Sequence, residues 1–253
     1  MHIFRWVSDT LFLARLSMWR MVRSRQTVVC ALLLAFAAVS VTAWSLRHGR
    51  TSQQLVEELL LPVYVSLLLP LFCLCYASPA VAADREDRTL VYLLATPLPR
   101  PLIFTAKYAA AMGLAMAWSL GVWAGLAWLA GPAGRAVLWV FFPAAMLSTA
   151  AYTGLFCLFS VLFRRATIAA LVYAVFLETL FGNMPGVVKR LAISFYTQCL
   201  ILDAGKPLGL NALAGRSPEL FVPVSGSTAW AVLGIATILF FAAGVWLFSR
   251  QEY

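Results

Sequence analysis

Asp84-Arg85-Glu86-Asp87-Arg88 is a run of five ionisable residues between two long apolar stretches. Thr89-Leu90-Val91-Tyr92-Leu93-Leu94 follows it, and Pro97, Pro99 and Pro101 come at alternate positions after that. Charges of both signs beside a short apolar phrase do the chemistry of recognition. The charges set register against a partner, and the apolar side chains supply a buried contact. Prolines at every second residue make a stiff exit, so a push on the phrase passes into the next segment. The competing reading of the stretch is a solvated hinge with no partner.

Signatures of covalent or hydrolytic chemistry are absent from the sequence. There is no Gly-x-x-x-x-Gly-Lys-Ser/Thr phosphate loop, no His-Glu-x-x-His and no Gly-x-Ser-x-Gly. The five cysteines, Cys30, Cys73, Cys75, Cys157 and Cys199, show no Cys-x-x-Cys spacing. Four of them lie in apolar runs, where a thiol packs as a small apolar group. His2 and His48 are isolated.

The elements that must position the charged run are written for lipid. Of the 253 residues, 62% are hydrophobic and 11% charged, against roughly 25% charged in a globular protein. So few charges cannot cover a soluble domain of this length. The net charge of +9 is spread between apolar spans and forms no continuous basic face, which excludes a nucleic-acid partner.

Apolar runs near the ~20 residues that a bilayer requires predict six spans: 26–46, 59–83, 102–130, 136–163, 166–184 and 226–248. Pro62, Pro70 and Pro79 predict kinks in the second. Arg47, His48, Arg50, Glu57 and Glu58 are expected in the loop before it. The lead, residues 1–25, reads as an amphipathic helix. Ile3, Phe4, Val7, Leu11, Met18, Met21 and Val22 lie on one side, with Arg5, Asp9, Arg20 and Arg23 on the other. It is expected to lie in the membrane interface. It lacks a small-residue cleavage site, so a retained segment is expected rather than a signal peptide.

The lead, the 84–107 segment, Arg164-Arg165 and the tail hold twelve of the nineteen Lys and Arg residues. The positive-inside rule then puts both termini and residues 84–101 in the cytosol of an inner (cytoplasmic) membrane, and residues 185–225 outside. Residues 187–202 repeat the amphipathic pattern, with Ser194, Thr197 and Gln198 on the polar side, and predict an outer helix before the last span.

Two features inside the spans remain. Ala109, Gly113, Ala117, Gly121 and Gly125 recur at every fourth position and make a stripe that another helix can approach closely. It serves either a subunit or path interface or ordinary internal packing. Glu178 is the only acid inside an expected span. It is either a polar group at the exit of a pathway or a carboxylate that turns outward or bonds Asn183.

Asp84-x-Glu86-x-x-Thr89-Leu90-x-x-Leu93-Leu94-Ala95-Thr96-Pro97-Leu98 resembles the cytoplasmic motif of permease subunits in the ABC type-2 (export) transporter family. That pattern places acids before Gly-Thr-Leu-Glu, then Leu-Leu, then Thr-Pro-Leu-Ser-Arg. The layout agrees over nearly the whole chain, and Phe248-Ser249-Arg250-Gln251-Glu252-Tyr253 is similar to the family's tail. Arg88 stands where the family usually has Gly, and Val91 where it usually has Glu.

The resemblance implies one all-α membrane permease domain over residues 1–253. It implies a coupling helix between spans 2 and 3 that docks on a separate cytosolic ATPase through Asp84, Glu86, Arg88, Thr89, Leu90, Leu93, Leu94 and Pro97. Arg164 and Arg165 would make a second contact. A second permease copy, identical or not, would complete the path, with Gly113, Ala117, Gly121, Gly125 and Glu178 packing or lining it. ATP and magnesium would bind the ATPase, leaving this chain with no catalytic residue, cofactor or metal. Two rival readings stand beside this one. One is an ABC-linked subunit that drives assembly, motility or extracytoplasmic maturation without a transported solute. The other is an integral-membrane enzyme, which needs clustered polar groups at one depth where the sequence offers only Glu178.

Overall fold

A computed structural model describes residues 2–46, 51–89, 98–176, 190, 192–209 and 224–250. Among them every regular element is a helix: α1 His2–Val22, α2 Arg25–Ser45, α3 Ser52–Glu86, α4 Arg100–Leu129, α5 Pro132–Leu162, α6 Ala166–Phe176, α7 Ile193–Gly205 and α8 Gly226–Arg250. Five of these, α2 to α5 and α8, are long and apolar enough to cross a membrane. They match five of the six expected spans. α6 opens the remaining one and is described as far as Phe176; Glu178 lies outside the described residues.

α3 starts earlier than the apolar pattern suggests. Thr51 accepts a bond from the Gln54 amide, and the Gln54 side chain accepts from the Thr51 amide, forming a capping box. Glu57 and Glu58 therefore belong to the helix, not to the preceding loop. The turns then widen to a π-helical spacing over Val56–Leu68, around Pro62. Pro62 has no N–H to donate, and Ser66 Oγ donates to the Leu61 carbonyl five residues back (2.9 Å). Pro70 and Pro79 open the α-helical stretches Leu69–Ala77 and Pro79–Glu86, and neither has an N–H to give to the turn before it. Ser78 between them still bonds the Leu74 carbonyl (3.1 Å), so the helix runs on.

α3 and α5 form the centre. Within the most apolar stretch of each, 67% of residues are buried, against 22% in α2 and 17% in α8, whose large apolar side chains face outward as lipid-facing helices do. The α4–α5 hairpin turns at Gly131, whose φ of 71° suits glycine. One turn later, a Cβ at Gly134 would sit 2.2 Å from the Ala127 carbonyl oxygen, so the two backbones touch there. α8 packs on α4 through rings: Tyr108 meets Phe241 at 4.8 Å and Phe104 meets Phe248 at 5.8 Å between centroids.

Polar side chains cross-link the centre at mid-depth. Tyr64 Oη of α3 donates to the Ser119 carbonyl of α4 (3.1 Å), and Ser119 Oγ meets Thr149 Oγ1 of α5 (2.9 Å). Ser148 Oγ of α5 meets Thr197 Oγ1 of α7 (2.7 Å). α7 therefore departs from the outer amphipathic helix expected over 187–202. Its described length is buried almost throughout, and Ser194, Thr197 and Gln198, expected to face water, are buried in the bundle. Hydroxyls that bond neighbouring helices make a polar face without needing solvent. All five cysteines are free and buried, as packing groups.

α1 also turns differently from expectation. Ser17 and Met21 are buried, with Leu13 partly so, in a stripe at helical spacing, and the helix packs on α4. Leu11, Phe12, Leu16 and Trp19 point outward. Arg23 lies over the Trp19 ring (4.4 Å) and Arg250 over Trp246 (4.5 Å) at one end of the bundle; Arg135 lies over Trp128 (5.8 Å) at the other.

Candidate functional site

The charged run closes α3 in a Schellman turn. The Arg88 amide donates to the Arg85 carbonyl (3.3 Å) and the Thr89 amide to the Asp84 carbonyl (2.9 Å). This geometry requires a left-handed residue between them, and Arg88 takes it with φ 57°. The departure noted in the sequence thus has a structural meaning. Glycine suits this position because the backbone is left-handed.

The side chains of the run divide between inside and outside. Glu86, Asp87, Arg88 and Thr89 are exposed. Asp84 is buried, at 3% exposure. Its carboxylate accepts from Lys107 Nζ of α4 on Oδ2 and from Arg20 Nη2 of α1 on Oδ1. Lys107 is itself 2% exposed and also donates to the Ala80 carbonyl (3.2 Å). Leu90, Leu93, Leu94 and Pro97 lie outside the described residues.

Arg85 in the run and Arg100 beyond it reach two more helices. Arg85 Nη2 donates to the Ser160 carbonyl and to the Phe163 carbonyl (3.3 Å) at the C-terminal end of α5. Arg100 Nη1 donates to the Ser249 carbonyl (3.4 Å) at the C-terminal end of α8. Both meet last-turn carbonyls that lack partners in their own helices and carry the negative end of the helix dipole. Arg164 and Arg165 directly follow Phe163 and are exposed, so the structure brings this pair and the charged run to one end of the bundle.

The small-residue stripe lies elsewhere, along α4. A Cβ at Gly113 would meet Met18 Cε of α1 at 3.1 Å, so α1 covers that level. Ala109 and Ala117 are exposed, and a Cβ at Gly121 or Gly125 would meet nothing within 4 Å. Among the described residues, nothing packs against the Gly121–Gly125 part.

A shallow, open apolar cleft lies between α2, α3 and α4, lined by residues including Val41, Leu60, Tyr64, Trp123 and Leu126. The Tyr64 hydroxyl and the Trp123 N–H are engaged away from it, by Ser119 and by the Leu138 carbonyl (3.2 Å). No oriented polar group marks a ligand there.

Sequence reasoning missed Arg20 and Lys107 as parts of the site, and it placed Arg85 and Arg100 in the stretch without the bonds they make into the bundle. One signal was present. Lys107 and Asp84 are opposite charges set inside or against apolar helix, and such charges pair inward.

The described residues form a helical bundle with five membrane-length helices and a charged run anchored at one end, the architecture of a multi-pass membrane protein. The model of the ABC-2 family of transporter proteins matches residues 11–253, and the chain belongs to that family. It is a multi-pass membrane protein and an ABC transporter permease. No curated protein matches it by sequence.

Proposed function

We propose that this permease works with a separate cytosolic ATPase that docks on residues 84–101, and that the pair drives export. Family members generally pair with such an ATPase and form dimers. One observation carries the reading. Asp84 and Arg85 of the charged run bond α1, α4 and α5, and Arg100 at the far end of the 84–101 segment bonds α8, all at a single end of the bundle. A displacement of that segment therefore reaches four helices directly.

In this reading both termini and the charged run are cytosolic, and α1 lies in the inner-membrane interface with Leu11, Phe12, Leu16 and Trp19 in acyl chains. Glu86, Arg88 and Thr89, with Leu90, Leu93, Leu94 and Pro97, face the ATPase, and Arg164 and Arg165 add a second contact. ATP and magnesium bind the ATPase, and this chain supplies no catalytic residue. A second permease copy packs against the uncovered Ala117–Gly125 stripe of α4.

The test is co-purification from detergent with candidate cytosolic ATPases, comparing wild type with the Leu90→Asp/Leu93→Asp variant. The expected result is an ATPase retained by wild type and lost by the variant. An absence of any ATPase on wild type overturns the reading.

A further inference from the structure

Asp84 joins three elements: α3, which carries it, α4 through Lys107 and α1 through Arg20. Both carboxylate oxygens are taken by the chain's own cations, with Thr89 Oγ1 also near Oδ1 (3.4 Å). A side chain 5% exposed and bonded on both sides has no face left for a docking partner. Its two cationic arms differ. The Lys107 side chain is 3% exposed, the Arg20 side chain 49%. The Lys107 arm is sealed from water, where an opposite charge is strongly held because leaving it unpaired is costly. The Arg20 arm is wet and weaker.

We infer that Asp84 is a positioning residue for coupling, not an ATPase contact. Resting on the function proposed above, this separates docking from coupling within one short run. Exposed Glu86, Arg88 and Thr89 belong to docking. Asp84 passes the movement of the docked segment to α4 through Lys107 and to α1 through Arg20. The cluster holds two cations and one anion, so Arg20 is the member that can exchange its partner for water or a headgroup while Lys107 stays paired.

The test uses full-length permease in nanodiscs with the ATPase that co-purifies with wild type. Two readouts are taken: the affinity of the ATPase, and the ATP turnover of the complex above that of the isolated ATPase. The Asp84→Leu/Lys107→Met variant removes both buried charges together, a replacement that proteins tolerate far better than loss of one partner. Its ATPase affinity is expected to stay within about twofold of wild type. Its permease-dependent turnover is expected to fall about tenfold, the scale of a typical coupling energy. Arg20→Gln is expected to lose part of that turnover at unchanged affinity, and Arg20→Lys to keep it.

A folded, ATPase-bound double variant with wild-type turnover overturns the inference by reducing the cluster to a structural role. A folded double variant that no longer binds the ATPase overturns it by making Asp84 a docking residue. If the double variant does not fold, the exposed Arg20 pair of variants decides in the same two ways. If wild type binds no ATPase, the proposed function falls first and the inference with it.

Discussion

The amide of Thr89 reaches the carbonyl of Asp84 at 2.9 Å. The chain can turn back that tightly because Arg88 between them is left-handed, at φ 57°. The turn fixes where the chain leaves α3, and an arginine holds a position that glycine occupies more cheaply.

Arg88→Gly relieves that backbone and gives up the guanidinium. The left-handed conformation costs a non-glycine residue about 1–2 kcal/mol, partly offset by the extra freedom glycine has when unfolded. We expect a net gain of about 0.5–1 kcal/mol, read as a higher midpoint of thermal unfolding in detergent. A lower midpoint would mean that the Arg88 side chain holds the turn.

Gly121→Leu/Gly125→Leu tests what covers the α4 stripe. A Cβ at either position meets nothing within 4 Å. The protomer should fold as before or slightly more stably, since glycine costs about 1 kcal/mol in a helix interior. The dimer fraction, measured by light scattering with detergent correction, should fall. An unchanged dimer places the second copy on another face.

Gly134→Ala should behave in the opposite way. Its Cβ would stand 2.2 Å from the Ala127 carbonyl oxygen, so the α4–α5 hairpin must open. Overpacking of this kind costs about 1–3 kcal/mol. The midpoint of thermal unfolding should drop, whereas Gly121→Ala should leave it unchanged or raise it. Equal midpoints for the two variants would show that the hairpin yields freely.

Much of this architecture was legible because membrane helices announce themselves by length. The expected spans 26–46, 102–130, 136–163 and 226–248 lie close to α2, α4, α5 and α8. What the pattern could not give was the direction of individual polar side chains. Asp84 stands in a run whose other described acids face outward, yet it points in, because the buried Lys107 of α4 meets its carboxylate directly. The polar face of residues 187–202 looks the same whether it meets water or other helices. Thr197 settles the matter by bonding Ser148, a partner forty-nine positions away that no local pattern names. Glu57 and Glu58 were assigned to a loop because hydropathy sees charge and not the Thr51–Gln54 cap that starts the helix before them.

α3 runs unbroken for 35 residues. At 1.5 Å per residue an α-helix of that count is about 50 Å long, well beyond the ~30 Å of hydrocarbon it crosses. One end is pinned by Asp84 and Arg85, and the other is tied to α2 and α5 by the Trp44–Glu58 bond (3.1 Å) and the Ser52 hydroxyl on the Ala133 carbonyl (3.1 Å). Such a rod is a lever arm. With a fulcrum at mid-membrane, a tilt of about 10° sweeps each tip sideways by about 4 Å, in opposite senses. The wide turns around Pro62 lie on one arm of that lever only, so bending there would shorten the stroke at the far tip and leave the stroke at the Asp84 tip intact.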